Sequence, residues 1–424
     1  MSAIYPGLES PEFAQGFARG VQDIEDLARL FAERHIMEQP AAALTDETIQ
    51  TFETVVKHYN AVLEAIMTLN VYISCFVTTN TQDNVAQARL SELQKPLVTL
   101  SQLGTRFIAW IGSLDIEALI ESSPLACEHA FMLRKAKIRA AHLMTPAEET
   151  LVAELNVSSG TAWSKLHSDV TSQLLVPLEV DGRVQELPMS VVRNMADQPD
   201  RKLRRRAYEA ELDAWKWAAV PLAAAFNSIK GEVNVLAQHR RWASALDASL
   251  FDSNIDRQTF DAMMATAREA FPDFRRYLHA KARALGLERL AWYDLFAPMG
   301  KSEKDWSYDA AAAFIVDKFA TFSPRLSNFA ARAFREQWID AEPRAGKIDG
   351  AYCTPLRKEE SRIFANFKPS YDGINTLAHE LGHGYHNFNL AERTMLQKET
   401  PMTLAETASI FCETIVRHAA MEKA

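Results

Sequence analysis

The chain has 424 residues, 48% of them apolar, and carries a formal charge of -9 with only 15 glycines and 17 prolines. That length and apolar content bury a large core and exclude a tail or linker, and the low glycine use favours long helices over a strand-and-turn architecture. The acidic balance argues against nucleic acid or an anionic membrane as the main partner.

At the N-terminus, Met1 to Ile24 lack a basic segment followed by an apolar run, and the longest apolar stretch, Trp217 to Phe226, is too short to span a bilayer. The expectation is a cytoplasmic protein with no membrane partner. From Phe13 to about Gln39, Thr45 to Thr78 and Asp83 to Leu114, apolar residues recur every three or four positions, as in Leu27, Leu30 and Phe31 or Val55, Val62, Ile66 and Leu69. This predicts three amphipathic helices packed on one another, with Pro96 kinking or splitting the third. Thr145, Pro146 and Glu148 combine an N-cap, a helix-starting proline and a capping glutamate, so a further helix starts there.

Between Leu174 and Met189 two apolar runs flank Asp181 and Gly182, a pair suited to a type I′ turn, which predicts a small β-hairpin. Helices follow near 190–241, 256–285, 307–320 and 323–337. The first of them contains the basic run Arg201 to Arg206, read as a solvated or salt-bridged face. Gly346 to Leu356 and Ile363 to Phe367 are rich in glycine, aromatic and β-branched residues and predict strands or extended loops. A strand edge of that kind can pair with the backbone of an extended peptide; an ordinary connecting hairpin fits the same pattern. The four cysteines, Cys75, Cys127, Cys353 and Cys412, are widely spaced and suggest neither a disulfide framework nor a thiolate metal site.

Residues 379–383 read His379, Glu380, Leu381, Gly382, His383, within an amphipathic stretch from Ile374 to Tyr385. On a helix, positions i and i+4 share a face about 6 Å apart along the axis, so both imidazoles can converge on one tetrahedral metal ion. The glutamate beside the first histidine can then take a proton from a water attacking a peptide carbonyl. The spacing is that of a zinc peptidase.

A catalytic zinc needs a third protein ligand. His386 shares the face but lies about 4.5 Å further along the axis than His383, poorly placed unless the helix breaks at Gly384, and packing or support of a ligand is the better reading. Glu392 and Glu399 fall in a predicted loop. Glu406 falls on the helix that Thr400 and Pro401 open, a rigid support for a ligand. Thr403 and Glu406 also fit a capping box, so both readings stand on spacing alone.

Four segments resemble the oligoendopeptidase F branch of the thimet oligopeptidase family of zinc peptidases: Gly346 to Cys353, Ala365 to Phe367, Thr376 to His386, and Ala405 to Ser409 with Glu413. The resemblance implies one zinc per chain held by His379, His383 and Glu406, with Glu380 as general base. It further implies that Gly350, Ala351 and Tyr352 line the substrate channel, and that the fold is a mainly α clamshell whose cleft admits short unstructured peptides. His386 and Glu413 are candidates to hydrogen-bond a metal-binding histidine. The chain divides into an N-terminal helical lobe, residues 1–190, ending in the hairpin, and a catalytic domain, residues 191–424.

Members of that family continue past the third-ligand helix into a segment whose tyrosine and histidine residues hold the scissile carbonyl, whereas this chain reaches Ala424 within a helical pattern. The expectation is a C-terminally incomplete catalytic domain, with a continuation or complementary fragment as partner. The reading is therefore a zinc-dependent oligoendopeptidase acting on short peptides. A helical zinc carboxypeptidase and a peptide-binding fragment without catalysis are the alternatives.

Overall fold

The computed structural model describes residues 1–40, 43–180, 182–299 and 306–422. Three long helices open the chain, Pro11–Glu33, Asp46–Thr79 and Asn84–Ser113, and each begins where a side-chain oxygen caps free backbone N–H groups. Ser10 accepts from Phe13 N–H, Thr45 from Thr48 N–H, and Asp83 from Val85 and Ala86 N–H. The first helix stops at Glu33 rather than near Gln39 because His35 takes a left-handed conformation, φ 54°, and Ile36 N–H bonds back to Phe31 O. Pro96 lies within the third helix without splitting it. Shorter helices, Ile116–Ser122, Pro124–Glu128 and Ala130–Ala140, complete a bundle whose core holds Phe13, Phe31, Phe52, Tyr72 and Ile111, all fully buried. The Asp46–Thr79 helix is long and apolar enough to cross a membrane by length and composition, but its Val55, Tyr59, Ile66 and Leu69 belong to this core.

Helix Pro146–Asn156 starts on the expected capping box, Thr145 with Glu148. After helix Gly160–Ser172 comes the hairpin, β1 (Leu175–Val180) antiparallel to β2 (Arg183–Pro188), with Val180 opposite Arg183. Gly182 has the positive φ, 75°, that such a turn requires, while Asp181 lies outside the described residues. Buried side chains of the hairpin join Met189, Val192, Ala207 and Ala218 in a second core.

The helix expected over 190–241 is two. Met189–Asn194 ends before Pro199, which holds Gln198 extended at ψ 142°, and Asp200 then caps Arg201–His239 by accepting from Lys202 N–H. The basic run is salt-bridged as expected: Arg201 and Arg204 both bond the buried Asp294, and Arg205 pairs with Glu209. Helices Arg201–His239 and Arg257–Ala284 form the long middle region of the chain.

In the C-terminal part helices Tyr308–Phe322 and Pro324–Arg335 pack on one another and share a core with a three-stranded sheet. Its strands are β3 (Ile339–Asp340), β4 (Tyr352–Arg357) and β5 (Glu360–Phe364), in the order β3-β5-β4. β5 runs parallel to β3 and antiparallel to β4. Helix Tyr371–Asn389 lies on the sheet and on helix Thr407–Met421, with Ile374, Leu377, Ala378, Leu381, Cys412 and Val416 in one core.

Candidate metal centre

The histidine pair stands on the Tyr371–Asn389 helix, whose buried face is formed by Ile374, Leu377, Ala378 and Leu381. Burying that face turns His379 and His383 toward helix Thr407–Met421. The two helices meet at Gly382, where a Cβ would lie 2.6 Å from Ser409 Cα and 2.7 Å from Ala408 O. Only a glycine allows that approach, and it brings Glu406 to the histidines.

His379 Nε2 and His383 Nε2 are 3.1 Å apart, and Glu406 Oε2 is 3.1 Å from the first and 3.2 Å from the second. Donors sharing a face of a tetrahedron around a zinc bonded at about 2.0 Å are about 3.3 Å apart, so this near-equilateral triangle fits such an ion. Glu406 is not inside a helix, as Thr400 and Pro401 led one to expect. It ends the single turn Met402–Ala405 and begins Thr407–Met421, with φ -91° and ψ 1°. Nor does Thr403 form a capping box with it, since Thr403 Oγ1 donates to Ser253 O at 2.6 Å. Buried Ser409 donates from Oγ to Glu406 Oε2 at 2.7 Å and, with weaker help from the histidines, holds that carboxyl below its ordinary pKa. Burial lowers the His383 pKa, with Glu406 opposing, which favours the neutral imidazole a metal requires.

Glu413, one helix face along, accepts a hydrogen bond from His379 Nδ1 at 2.5 Å. A carboxylate can only accept, so the proton sits on Nδ1 and the Nε2 lone pair faces the triangle. Asn375 Nδ2 at 2.8 Å and Arg417 Nη2 at 3.2 Å bond the other Glu413 oxygen and fix its orientation. Glu380 is buried, and its Oε2 has no hydrogen-bond partner among the described residues. Burial pushes its pKa up to about 7; the His379 charge works against this, and Glu406 and Glu413 add to it. A cation at the triangle would favour its ionised form. Two imidazoles and the Glu406 carboxylate form a donor set that a dication would fit, and the buried, partnerless Glu380 carboxylate is set apart from it.

His386 stays outside the triangle because the helix continues unbroken past Gly384 to Asn389. Gly350, in a left-handed conformation at φ 87°, and Ala351 precede β4; the Gly350 carbonyl accepts from Asn366 Nδ2 at 3.0 Å. The Tyr352 ring stacks on Phe364, with centroids 5.1 Å apart, and its hydroxyl meets Thr78 Oγ1 at 2.7 Å, so its tip engages the N-terminal bundle. β4 is the edge of the sheet, yet Thr68 Oγ1 donates to Leu356 O at 3.0 Å on that strand. Sequence reasoning missed Ser409, Asn375 and Arg417, which support the carboxylates. Of these Ser409, three residues after Glu406, and Arg417, four residues after Glu413, carry a local spacing signal, and Asn375 does not.

Residues 194–424 match peptidase family M3, and residues 110–174 match the family described as Oligopeptidase F. The chain is 23% identical over 309 residues to group B oligopeptidase PepB of Streptococcus agalactiae, an alignment covering 72% of this chain and 51% of that protein. It is 23% identical over 252 residues to oligopeptidase PepF of Bacillus subtilis, covering 58% and 37%. The chain thus spans about half the length of the curated relatives it matches. The structure of oligoendopeptidase-F from Enterococcus faecium superposes with a TM-score of 0.66 at 16% identity, covering 97% of this chain and 68% of that one. The fold is accordingly the mainly helical clamshell of those enzymes, with its hairpin and short sheet. The family match takes in more than half of the residues, with both histidines, Glu380 and Glu406 among them, and the chain belongs to peptidase family M3.

Proposed function

We propose that this chain carries the zinc-binding and proton-transfer part of an oligoendopeptidase that cuts internal bonds of short unstructured peptides. The observation that supports this most is the 3.1–3.2 Å triangle of His379, His383 and Glu406 beside the buried, partnerless oxygen of Glu380. Zinc held there would polarise the scissile carbonyl and lower the pKa of the attacking water to about 7. Glu380 takes the proton as the water oxygen bonds to the carbonyl carbon, then delivers it to the amine nitrogen as the C–N bond breaks. Glu413 keeps the His379 Nδ1 proton in place, and Ser409 orients Glu406.

In this reading residues 191–424 are the catalytic unit, residues 1–190 form the lobe facing it across a peptide channel, and Gly350, Ala351 and Tyr352 lie along that channel. Further polypeptide completes the channel, consistent with the share of its relatives that the chain spans and with the exposed Trp217, Val220 and Phe274. The protein is assigned to the cytoplasm, with peptides rather than nucleic acid or membrane as partners.

Elemental analysis tests the metal: wild type should hold one zinc per chain, and His383→Ala and Glu406→Gln should lose it. Wild-type stoichiometry in either variant removes that residue from the ligand set. In an active preparation, supplemented with the family's C-terminal continuation if that is required, Glu380→Gln should keep zinc while cleavage of an internally quenched peptide falls by at least about 10²-fold. Near-normal turnover would exclude Glu380 as the base.

A further inference from the structure

His379 and His383 are registered by one helix, but Glu406 reaches them from the end of a separate stretch, residues 390–405. Glu406 is 48% exposed and occupies a break between two helices, so helix geometry alone does not fix it. On its C-terminal side the Gly382 contact and Ser409 restrain it. On its N-terminal side Thr403 is tied to Ser253 O, and further back along the stretch the restraint comes from the other end of the molecule.

Three nearby residues of the stretch are bonded to the N-terminal bundle. Thr394 Oγ1 lies 2.8 Å from Nε2 of His129, a side chain only 1% exposed, whose Nδ1 lies 2.8 Å from Leu125 O. A carbonyl only accepts, so Nδ1 carries the proton and Nε2 accepts from the Thr394 hydroxyl. Leu396 N–H donates to Asn60 Oδ1 at 2.9 Å, while Asn60 Nδ2 donates to Val56 O at 2.9 Å and cannot turn without losing both bonds. Gln397 accepts from Thr394 N–H at 3.0 Å and donates to Glu128 O at 2.8 Å. Leu396 itself packs against the bundle core.

We infer that Asn60, His129 and Glu128, with Thr394, Leu396 and Gln397, are positioning residues for the metal centre: the N-terminal bundle holds the 390–405 stretch so that Glu406 closes the triangle. The inference rests on Glu406 being a ligand. It makes metal affinity depend on residues of the opposite lobe, none of which touches the metal.

The test uses the full chain. Zinc affinity is measured by competition with a chromophoric chelator for wild type, Glu406→Gln, Thr394→Val, Thr394→Ser and Asn60→Leu with Thr394→Val. Circular dichroism verifies folding. Thr394→Val removes a hydroxyl at nearly constant volume, so it remains informative where the double variant fails to fold. Affinity should fall about tenfold in the double variant and less in Thr394→Val, and Thr394→Ser should restore it. The visible spectrum of the cobalt-substituted double variant should shift toward that of Glu406→Gln, a change a purely structural loss would not produce. Wild-type zinc affinity in Glu406→Gln sinks the ligand assignment, and the inference with it. Loss in Glu406→Gln with wild-type affinity and spectrum in folded Thr394→Val and double variants overturns the anchoring alone.

Discussion

The N-terminal bundle and the two long middle helices both carry aromatic residues at helical spacing, but they use them differently. In the bundle, Phe13, Phe31, Phe52 and Tyr72 are fully enclosed; Phe13 stacks on Tyr72 with centroids 5.7 Å apart, Phe31 meets Tyr59 and Phe52 meets Trp110. On Arg201–His239 and Arg257–Ala284, Trp217, Val220, Phe226, Phe274 and Tyr277 stand exposed, Val220 at 80% and Trp217 at 77%. The buried side of the first of these helices is lined mainly by alanines. The bundle is a self-sufficient unit and an anchor; the middle helices are a surface. Scattered apolar side chains on a surface are ordinary, but several large ones along one helix mark a surface suited to contact.

The largest effect that sharpens this contrast comes from the bundle. Phe52, fully buried and 6.5 Å from Trp110 by ring centroids, should cost about 4 kcal/mol when replaced by alanine. Denaturant unfolding measures it; a loss under about 1 kcal/mol would mean the core re-closes and is less rigid than its packing implies.

Next is the root of the middle region, where Asp294, 0% exposed, accepts from Arg201 Nε and Nη2 at 2.9 Å and from Arg204 Nη2 at 3.1 Å. Asp294→Asn leaves Arg204 buried without its counter-charge and should cost about 3 kcal/mol. Burial alone would raise the Asp294 pKa, but the bonds from Arg201, Ala291 N–H and Arg204 outweigh it and hold the carboxyl below its ordinary 3.8. A depressed folded value means the unfolded chain binds the proton first. The contribution is therefore full above the ordinary value and lost as pH falls through the folded one. Unfolding curves of wild type and Asp294→Asn should converge in that acid range; a gap that stays constant would show that packing, not charge, holds the root.

What could be read from sequence follows the range of each interaction. The spacing of His379 and His383 and the capping of Pro146–Asn156 by Thr145 and Glu148 depend on residues within one helical turn, and the structure has both. Glu406 sits where two helices meet, so its position depends on Gly382 and Ser409, which touch only after folding. The split near Pro199 was signalled by the proline but hidden by apolar periodicity on both sides. The Tyr352 hydroxyl meets Thr78, 274 residues away, and no local pattern could have placed it.

A smaller effect belongs to the contact between the two site helices, the densest counterpart to the open middle face. Gly382→Ala would put a methyl group 2.6 Å from Ser409 Cα and 2.7 Å from Ala408 O, and backbone cannot yield as a flexible side chain does. The helices should separate, at about 2 kcal/mol of stability, carrying Glu406 away from the histidines and weakening zinc binding in the same variant. Unchanged metal affinity would show that Glu406 follows its histidines independently of helix spacing.

The smallest expected change in stability tests the open face itself. Trp217→Ser and Val220→Ser remove two of its most exposed apolar side chains, and with so little buried area to lose the chain should unfold within about 0.5 kcal/mol of wild type. What should change is contact with apolar probes: an environment-sensitive dye that brightens on the wild-type surface should bind less. If a covering polypeptide occupies the face, the same substitutions should weaken that association while leaving the isolated chain's stability alone, because the area is buried only in the complex. A loss of 2 kcal/mol or more in the isolated chain, measured at a concentration where it is monomeric, would show that these side chains are covered within it. The bundle and the middle helices would then differ in degree of burial and not in kind.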